Sequence, residues 1–434
     1  MGEQEVVVRA PQSFGSVGIV GLGYVGLPLA VAFAEAGCSV VGVDSDQQRI
    51  RALKAGESYV EDVPGELHGL IASGRLRVCD RYQSLREADA VIICLPTPLD
   101  RYREPDLSIV EAGAREVSEN LRPGSLVVLE STTYPGTTRE VLLPLFEGGG
   151  RKVGEDFYLA YSPERVDVGN ERYGIHNTPR VVGGMTGECT RRAHELYGLV
   201  AREIHEVTAP ESAELSKLLE NVFRGVNIAL INEIAVLCHR MGIDVWEVIR
   251  AASTKPFGFM PFYPGPGMGG HCIPIDPFYL SWRARAYDVN TEFIELAGRI
   301  NVSMPHYAFG RIASALNSVG KPVNGSRVLV LGVAYKPNSS DLRESPSLKI
   351  LDLLADAGAQ TAYHDPHVPH LPDRKLRSVE PTPDELARAD CVVIATDHEA
   401  VDPRPVVDHA AQVVDLRNAV RRRLGSLPAN VDVL

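Results

Sequence analysis

The stretch Ser16-Val17-Gly18-Ile19-Val20-Gly21-Leu22-Gly23-Tyr24-Val25-Gly26 decides the fold. The apolar run Ser16–Gly21 reads as a strand, Leu27–Ala36 as a helix, and Ser39–Val43 as the next strand. Between strand and helix lies GxGxxG. Alone that pattern is weak, but opening a helix inside a βαβ unit it is a dinucleotide fingerprint. Gly21 permits the tight turn, Gly23 lets a pyrophosphate approach the backbone, and Gly26 lets helix and strand pack closely. Tyr24 and Val25 complete the turn, and the free N–H groups of the helix start face the phosphates. Asp44 ends the following strand, 18 residues after Gly26. An acid there accepts hydrogen bonds from ribose hydroxyls and repels a 2′-phosphate, so the expected cofactor is NAD rather than NADP.

Outward from this unit, strand-like runs recur at Ala90–Leu95, Ser125–Glu130, Phe157–Tyr161 and Arg180–Gly183, which implies a parallel doubly wound sheet. Thr208-Ala209-Pro210-Glu211 looks like a capping box opening a helix that runs to Met241, with Gly242 as its stop. That helix would span about 50 Å. Asp244 and Glu247 cap a further helix to about Ala252, and helical pattern fills Pro277–Leu316 with a break near Pro305. After the turn-rich Gly320–Gly325, a second strand–helix alternation begins at Arg327–Gly332. Its helix starts near Ser345-Pro346, and its strands follow at Gln360–Tyr363, Cys391–Ala395 and Gln412–Asp415. The expected fold class is α/β: two Rossmann-like doubly wound domains joined by a long central helix and helical connector. The expected domains are 1–207 (NAD-binding), 208–319 (central, helical, dimerising) and 320–434 (C-terminal α/β).

A chain of 434 residues with 44% hydrophobic content has the bulk of a multidomain globular protein. Its net charge of −12 argues against coating nucleic acid. The long helix is interrupted by Lys217, Glu220, Arg224 and Glu233, so it reads as a domain bridge or subunit interface, giving at least a homodimer and no membrane partner. The first residues do not read as a signal peptide. Seven cysteines stand as singletons, which suggests a reducing, cytoplasmic setting. Six of them (Cys38, Cys79, Cys94, Cys189, Cys238 and Cys391) read as buried small hydrophobes.

Cys272 differs. It sits in Gly265-Pro266-Gly267-Met268-Gly269-Gly270-His271-Cys272-Ile273-Pro274-Ile275-Asp276, where glycines expose the thiol and a carboxylate follows four residues on. A free thiol is only about 3% thiolate at pH 7, so a nearby cation or backbone N–H groups must activate it. Lys217 and Asn221 share one face of the long helix, and Gly225 continues it. Ser131, Thr132 and Thr133 follow one strand and Glu164 another, where doubly wound sheets bind ligands; loop capping explains either group equally well. His364, His367 and His370, with Asp365 and Pro366, read as a surface loop rather than a metal site. No metal is expected.

In this order, the motifs resemble the UDP-glucose/GDP-mannose dehydrogenase family over essentially the full length. They are GLGYVG, Glu130-Ser131-Thr132, the Lys217/Asn221 helix, GGHC with Asp276, and Tyr335–Ser345. The GPGMGGHC form of the loop looks most like the branch acting on UDP-N-acetylhexosamines. The resemblance implies a catalytic thiol at Cys272, with Lys217, Asn221 and Asp276 around the reacting carbon. It implies a water-positioning hydroxyl at Thr132 and a role for Glu164 in thioester hydrolysis. Cofactor contacts would include Arg49, Thr97, Ser131 and Arg343. Substrate contacts would include Glu164, Arg165, Tyr263, Gly267, Gly269, Tyr335, Lys336 and Arg417. Some relatives place an arginine from a partner subunit on the substrate; Ser253–Phe257 offers only Lys255.

A hydride acceptor combined with a nucleophilic thiol can oxidise an alcohol past the aldehyde, through a thioester, to a carboxylate. The expected activity is therefore an NAD-dependent nucleotide-sugar 6-dehydrogenase that makes a uronic acid and delivers two hydrides per sugar. The expected substrate is UDP-GlcNAc or UDP-GalNAc, with UDP-glucose or dTDP-glucose as alternatives. A 3-hydroxyacid dehydrogenase also pairs a Rossmann domain with a lysine- and asparagine-bearing helical domain, but stops after one hydride. A non-catalytic nucleotide-sugar sensor would have no use for Cys272, Lys217 and Asp276 together.

Overall fold

The computed structural model describes residues 14–60, 63, 67–100, 102, 104–166, 170, 172–270 and 276–434. The chain divides into two compact units, Met1–Glu220 and Asn221–Leu434, with the division inside the helix Pro210–Met241.

The first unit holds eight strands: β1 (Ser16–Val20), β2 (Ser39–Val43), β3 (Leu76–Cys79), β4 (Ala90–Ile93), β5 (Leu126–Leu129), β6 (Tyr158–Tyr161), β7 (Arg180–Gly184) and β8 (Ile204–Val207). Their order is β3-β2-β1-β4-β5-β6-β7-β8. All neighbours are parallel except β6 and β7, which run antiparallel. The central strands are apolar at every position and buried throughout, as a sheet covered on both faces requires. Val20 is in register with Val43 on one side and Ile93 on the other. The carboxyl ends of β2, β1 and β4 are therefore level, which brings Asp44, Gly21 and Cys94 side by side. The strand order reverses between β1 and β4, where such sheets bind ligands.

The second unit carries β9 (Arg327–Leu331), β10 (Gln360–His364), β13 (Cys391–Ile394), β14 (Val413–Asp415) and β15 (Val431–Val433). They form a parallel sheet in the order β10-β9-β13-β14-β15; β11 (His370–Leu371) and β12 (Leu376–Arg377) form a separate pair. Both sheets match the expected α/β, Rossmann-like class.

Several local expectations change. Strands β3, β8 and β15, of four, four and three residues, lie outside the runs expected as strands. The helix Glu292–Ser318 runs unbroken through the buried Pro305. Its face Ala308, Ile312 and Leu316 belongs to the core of the second unit, so packing outweighs the one lost N–H bond. The interruption falls earlier, around Asp288, whose φ is 56°. His364 and Asp365 are buried at the end of β10, whereas His367 and His370 are exposed. Cys79 and Cys94 are half-buried, unlike the other four described cysteines.

The helix Pro210–Met241 is long and apolar enough, by length and composition, to cross a membrane. It nevertheless buries Glu214, Asn221 and Asn232, each hydrogen-bonded to protein groups. Its remaining face exposes Leu219, Phe223, Leu230 and Leu237. Within it, Asn301 Nδ2 donates to the Gly225 carbonyl at 3.0 Å.

Candidate active site

The fingerprint forms the expected cradle. Gly21 has φ +90°, and a Cβ there would lie 2.5 Å from the Cys94 carbonyl oxygen. A Cβ on Gly26 would stand 1.9 Å from the Gly21 oxygen. A Cβ on Gly23 would meet no protein atom within 4 Å, so this glycine borders open space rather than packing. The helix Gly26–Glu35 begins after Val25, which makes no side-chain cap; Leu27 N donates to the Gly23 carbonyl at 3.1 Å and Pro28 carries no N–H, so the helix start offers an anion its dipole more than a row of free donors. Tyr24 is partly exposed beside this turn.

Asp44 closes the cradle. Its Oδ2 accepts from Leu22 N at 2.8 Å and its Oδ1 from Asp46 N at 2.8 Å, while Arg49 Nη1 lies 3.4 Å from Oδ2. A carboxylate offers about four acceptor directions, so capacity remains for a ribose diol. Tyr59 Oη donates to the Leu22 carbonyl, and its ring stacks under the Arg49 guanidinium. The structure therefore has the helix start, the space beside Gly23 and the acid that NAD binding uses. The Tyr59 contact was not read from the sequence, because Tyr59 lies 37 residues from its partner in no recognisable motif.

Farther along the same sheet edge, Thr97 is buried and donates to the Thr132 carbonyl at 2.7 Å, tying the β4 end to the β5 end. Ser131 is buried and Thr132 half-buried. Glu164 lies just past β6. Its Oε1 accepts from its own turn, Arg165 N at 2.7 Å and Val166 N at 2.6 Å, and its Oε2 meets Arg180 Nη2 at 2.8 Å. The main-chain carbonyl of Glu164 receives the Lys217 ammonium. Burial pushes the Glu164 carboxyl up, but Arg180, the Val166 and Arg165 N–H groups and Lys217 together hold it below its usual range. Arg165 turns away to Glu220 at 2.8 Å and to the Pro179 carbonyl at 2.8 Å.

Behind Glu164 lies a group that sequence reading missed. Arg180, the first residue of β7, is 3% exposed and divides its guanidinium between Glu130 and Glu164. Tyr197 Oη donates to Glu130 at 2.7 Å, and the Tyr197 ring lies under the guanidinium at 4.9 Å. Burial raises the Glu130 carboxyl to about 7, with Arg180 pulling it down and Glu164 pushing it up. Arg180 opens what reads as an ordinary apolar strand, so only the pairing of β6 with β7 brings it to this edge. Glu214, one turn before Lys217, was missed for the same reason. It is fully buried and accepts from Gly136 N at 2.6 Å, Thr138 N at 2.8 Å and Thr138 Oγ1 at 2.7 Å. It thereby fixes the start of the long helix to the segment after Thr132.

In the second unit, Asn221 Nδ2 donates to Asp276 Oδ2, and Asp276 is 2% exposed at the first position of the helix Asp276–Arg285. Cys272 lies outside the described residues. The described part of its loop is built against the C-terminal sheet domain. Gly265 N donates to Asn232 Oδ1 at 3.0 Å, and Gly270 N to the Arg343 carbonyl at 2.9 Å. Cβ atoms on Gly265, Gly269 and Gly270 would meet Arg417 Nη1 at 2.8 Å, Tyr335 Cβ at 2.6 Å and the Tyr335 ring at 2.9 Å. Gly267 has φ +129° and packs beside Pro305 and Pro346. Close approach of Tyr335 thus requires glycine at 269 and 270, and the positive φ favours it at 267. Arg417 Nε donates to the Ala395 carbonyl at 2.8 Å, and burial lowers its ionisation to about 10. Arg343 forks onto Asp341, with Nη2 2.5 Å from Oδ2. Lys336 follows Tyr335 on the segment after β9. Tyr263 is exposed on one face and stacks on Trp246 at 5.9 Å with the other. Among the described residues, no group of three or more His, Cys, Asp or Glu side chains could hold a metal ion.

A reversal-point cradle with an acid at the second strand defines the class: a dinucleotide-dependent dehydrogenase of Rossmann type. Three family models match in chain order: the UDP-glucose/GDP-mannose dehydrogenase NAD-binding domain over residues 15–201, the central domain over 211–303 and the UDP-binding domain over 329–422. The chain belongs to the UDP-glucose/GDP-mannose dehydrogenase family, and its cofactor is NAD. It is 37% identical to a UDP-N-acetyl-D-mannosamine dehydrogenase of Pyrococcus horikoshii, over 88% of this chain and 89% of the relative. It is 38% identical to a UDP-N-acetyl-D-glucosamine 6-dehydrogenase of Pseudomonas aeruginosa, over 81% of this chain and 83% of the relative. A solved UDP-D-ManNAc dehydrogenase structure from Pyrococcus horikoshii superposes with a TM-score of 0.87 at 34% identity, covering 96% of this chain and 98% of that one.

Proposed function

We propose that this protein oxidises the C6 alcohol of a UDP-N-acetylhexosamine to the carboxylate in two steps, delivering two hydrides per sugar. UDP-GlcNAc is the first candidate, on the form of the loop Gly265–Cys272. The relatives named for UDP-GlcNAc and UDP-ManNAc support the N-acetylated class and make the C2 epimer its nearest competitor. UDP-GalNAc, UDP-glucose and dTDP-glucose are the alternatives.

The observation that carries the reading is the Lys217 ammonium at the Glu164 carbonyl, on the sheet edge that also bears the cradle, Thr97 and Thr132. Bound NAD supplies the hydride acceptor at Gly21–Gly26 and Asp44. The C6 hydroxyl loses its proton to a base system of Asp276 and a water, with the Lys217 ammonium stabilising the oxygen as the proton leaves. Cys272 adds as thiolate to the resulting aldehyde, and its sulfur holds the carbon as a thiohemiacetal and, after the second hydride leaves, as a thioester. Lys217 and Asn221 donate to the oxyanion, a contribution of about 3–4 kcal/mol for a key donor. Thr132 and Glu164 orient the water that hydrolyses the thioester. The Asp276 carboxylate, by accepting from Asn221, fixes which edge of that amide faces the reacting carbon. Lys336, Arg417, Tyr335, Tyr263, Arg165, Gly267 and Gly269 would contact the nucleotide sugar, and Arg49, Thr97, Ser131 and Arg343 the cofactor.

The domain division 1–207, 208–319 and 320–434 assigns NAD, the thiol loop and the nucleotide to successive segments. The apolar face Leu219, Phe223, Leu230 and Leu237 supports a homodimer formed along the long helix, in a cytoplasmic enzyme of polysaccharide precursor synthesis. The deciding experiment is NADH release across a panel of nucleotide sugars, with product mass. Two NADH per acid formed, and loss of acid formation in Cys272→Ala with NAD affinity intact, are expected. Normal turnover by that variant would sink the scheme.

A further inference from the structure

We propose that Arg180 is a positioning residue of the active site: split between Glu130 and Glu164, it holds the turn Ser162–Val166 so that the Glu164 carbonyl receives Lys217. The inference rests on the reading of Lys217 as a catalytic group.

The geometry leaves Glu164 little freedom. One carboxylate oxygen is taken by two main-chain N–H groups of its own turn and the other by Arg180. The turn is thereby locked from its side chain, and its carbonyl aims at the long helix, where it meets Lys217. Arg180 is held in its turn by the buried Glu130, which Tyr197 braces at 2.7 Å, while Cys94 Sγ lies 3.6 Å from the other Glu130 oxygen. Glu130, Glu164, Arg180 and Lys217 are thus joined in one chain of contacts, from Tyr197 through Glu130, Arg180 and the Glu164 turn to the long helix. Removing Arg180 would leave Glu164 and Glu130 facing one another without a shared cation, and Glu164 would take Lys217 for itself. A planar guanidinium bridges two carboxylates in a way that a lysine ammonium, as a point charge, does not.

The test uses full-length Arg180→Lys and the charge-balanced Glu130→Gln/Arg180→Gln. Four readouts are compared with wild type: kcat, KM for NAD, the pH profile of kcat, and acetic anhydride labelling of Lys217 relative to the exposed Lys152, read by mass spectrometry across pH. The expected result is a kcat lowered tenfold or more and a KM for NAD within about threefold of wild type, since the cradle is built from β1 and β2. The Lys217 labelling curve and the matching limb of the pH profile should shift together. Unchanged Lys217 labelling in a folded variant overturns the proposal even if turnover falls. A parallel loss of kcat, NAD affinity and thermal stability, or misfolding of both variants, makes Arg180 a structural prop and also overturns it. Lys217→Met separates the two claims. If that variant turns over normally, the reading of Lys217 fails whatever Arg180 does, while the labelling shift still reports whether Arg180 positions it.

Discussion

The Lys217 ammonium donates to the main-chain carbonyl of Glu164, 53 residues away in sequence. A lysine held by a main-chain carbonyl has a defined position, which suits a group that must meet an alcohol and then an oxyanion at the same carbon. Lys217→Met is expected to lower kcat by about 10²–10³, the usual cost of one oxyanion donor, with the dissociation constant for NAD unchanged by fluorescence titration.

Gly23 and Gly26 are expected to part company on substitution. Gly26→Ala drives a Cβ to 1.9 Å from the Gly21 oxygen and should lower the melting temperature measurably. Gly23→Ala meets no protein atom within 4 Å, so stability should stay near wild type while NAD affinity falls. Calorimetry with and without NAD measures both; equal NAD affinity in Gly23→Ala would move the pyrophosphate elsewhere.

Asp44 is expected to set the choice between NAD and NADP. Asp44→Asn keeps an acceptor for one of the two main-chain N–H groups but removes the charge that repels a 2′-phosphate. The ratio of kcat/KM for NAD over NADP should fall by about tenfold, a single charge-assisted contact being worth roughly 1.5–3 kcal/mol. Steady-state kinetics with both cofactors checks this.

Glu214 links stability to pH. Burial raises its carboxyl from 4.5 to about 7, against the hydrogen bonds from Thr138 and Gly136 that lower it. Between these values the unfolded chain has lost the proton and the folded chain keeps it, so this group's contribution falls as pH rises from about 4.5 to about 7 and is level above that. Glu214→Gln should therefore flatten the melting temperature against pH within this window. A slope identical to that of wild type would show that Glu214 titrates normally.

Asp276 is expected to act through Asn221. Asp276→Asn keeps an acceptor oxygen for the Asn221 amide but removes the charge at a site that is 2% exposed, and a hydrogen bond to a charged group is worth about 1.5–3 kcal/mol. Asn221→Ala and the double variant complete a cycle. Coupling of at least about 0.5 kcal/mol in kcat/KM marks one unit, whereas additive losses would mark two independent residues.

Much of this protein is legible in the chain itself. The fingerprint Gly21–Gly26 and Asp44 are local: turn, helix start and strand end follow one another within 30 residues, so backbone sterics and periodicity suffice to read them. The same holds for the parallel strands β1, β2, β4 and β5, whose near-continuous apolar runs suit a doubly covered sheet. Lys217 and Asn221 share a helical face by spacing alone. The antiparallel turn-back at β7 is not local. It alone carries Arg180 to Glu130 and Glu164, joining residues 50 and 16 positions apart through buried charge that no composition rule foresees. The long reach of Glu214 to Thr138, of Tyr59 to Leu22 and of Asn301 to Gly225 is equally tertiary. So is the unbroken helix at Pro305, where core contacts outweigh a local preference. The sequence by itself determined which cofactor cradle and which chemical groups this protein carries, because those depend on neighbours along the chain. Only the tertiary structure decided how the groups are held, because a buried charge takes its partner from whatever strand or helix the fold packs beside it.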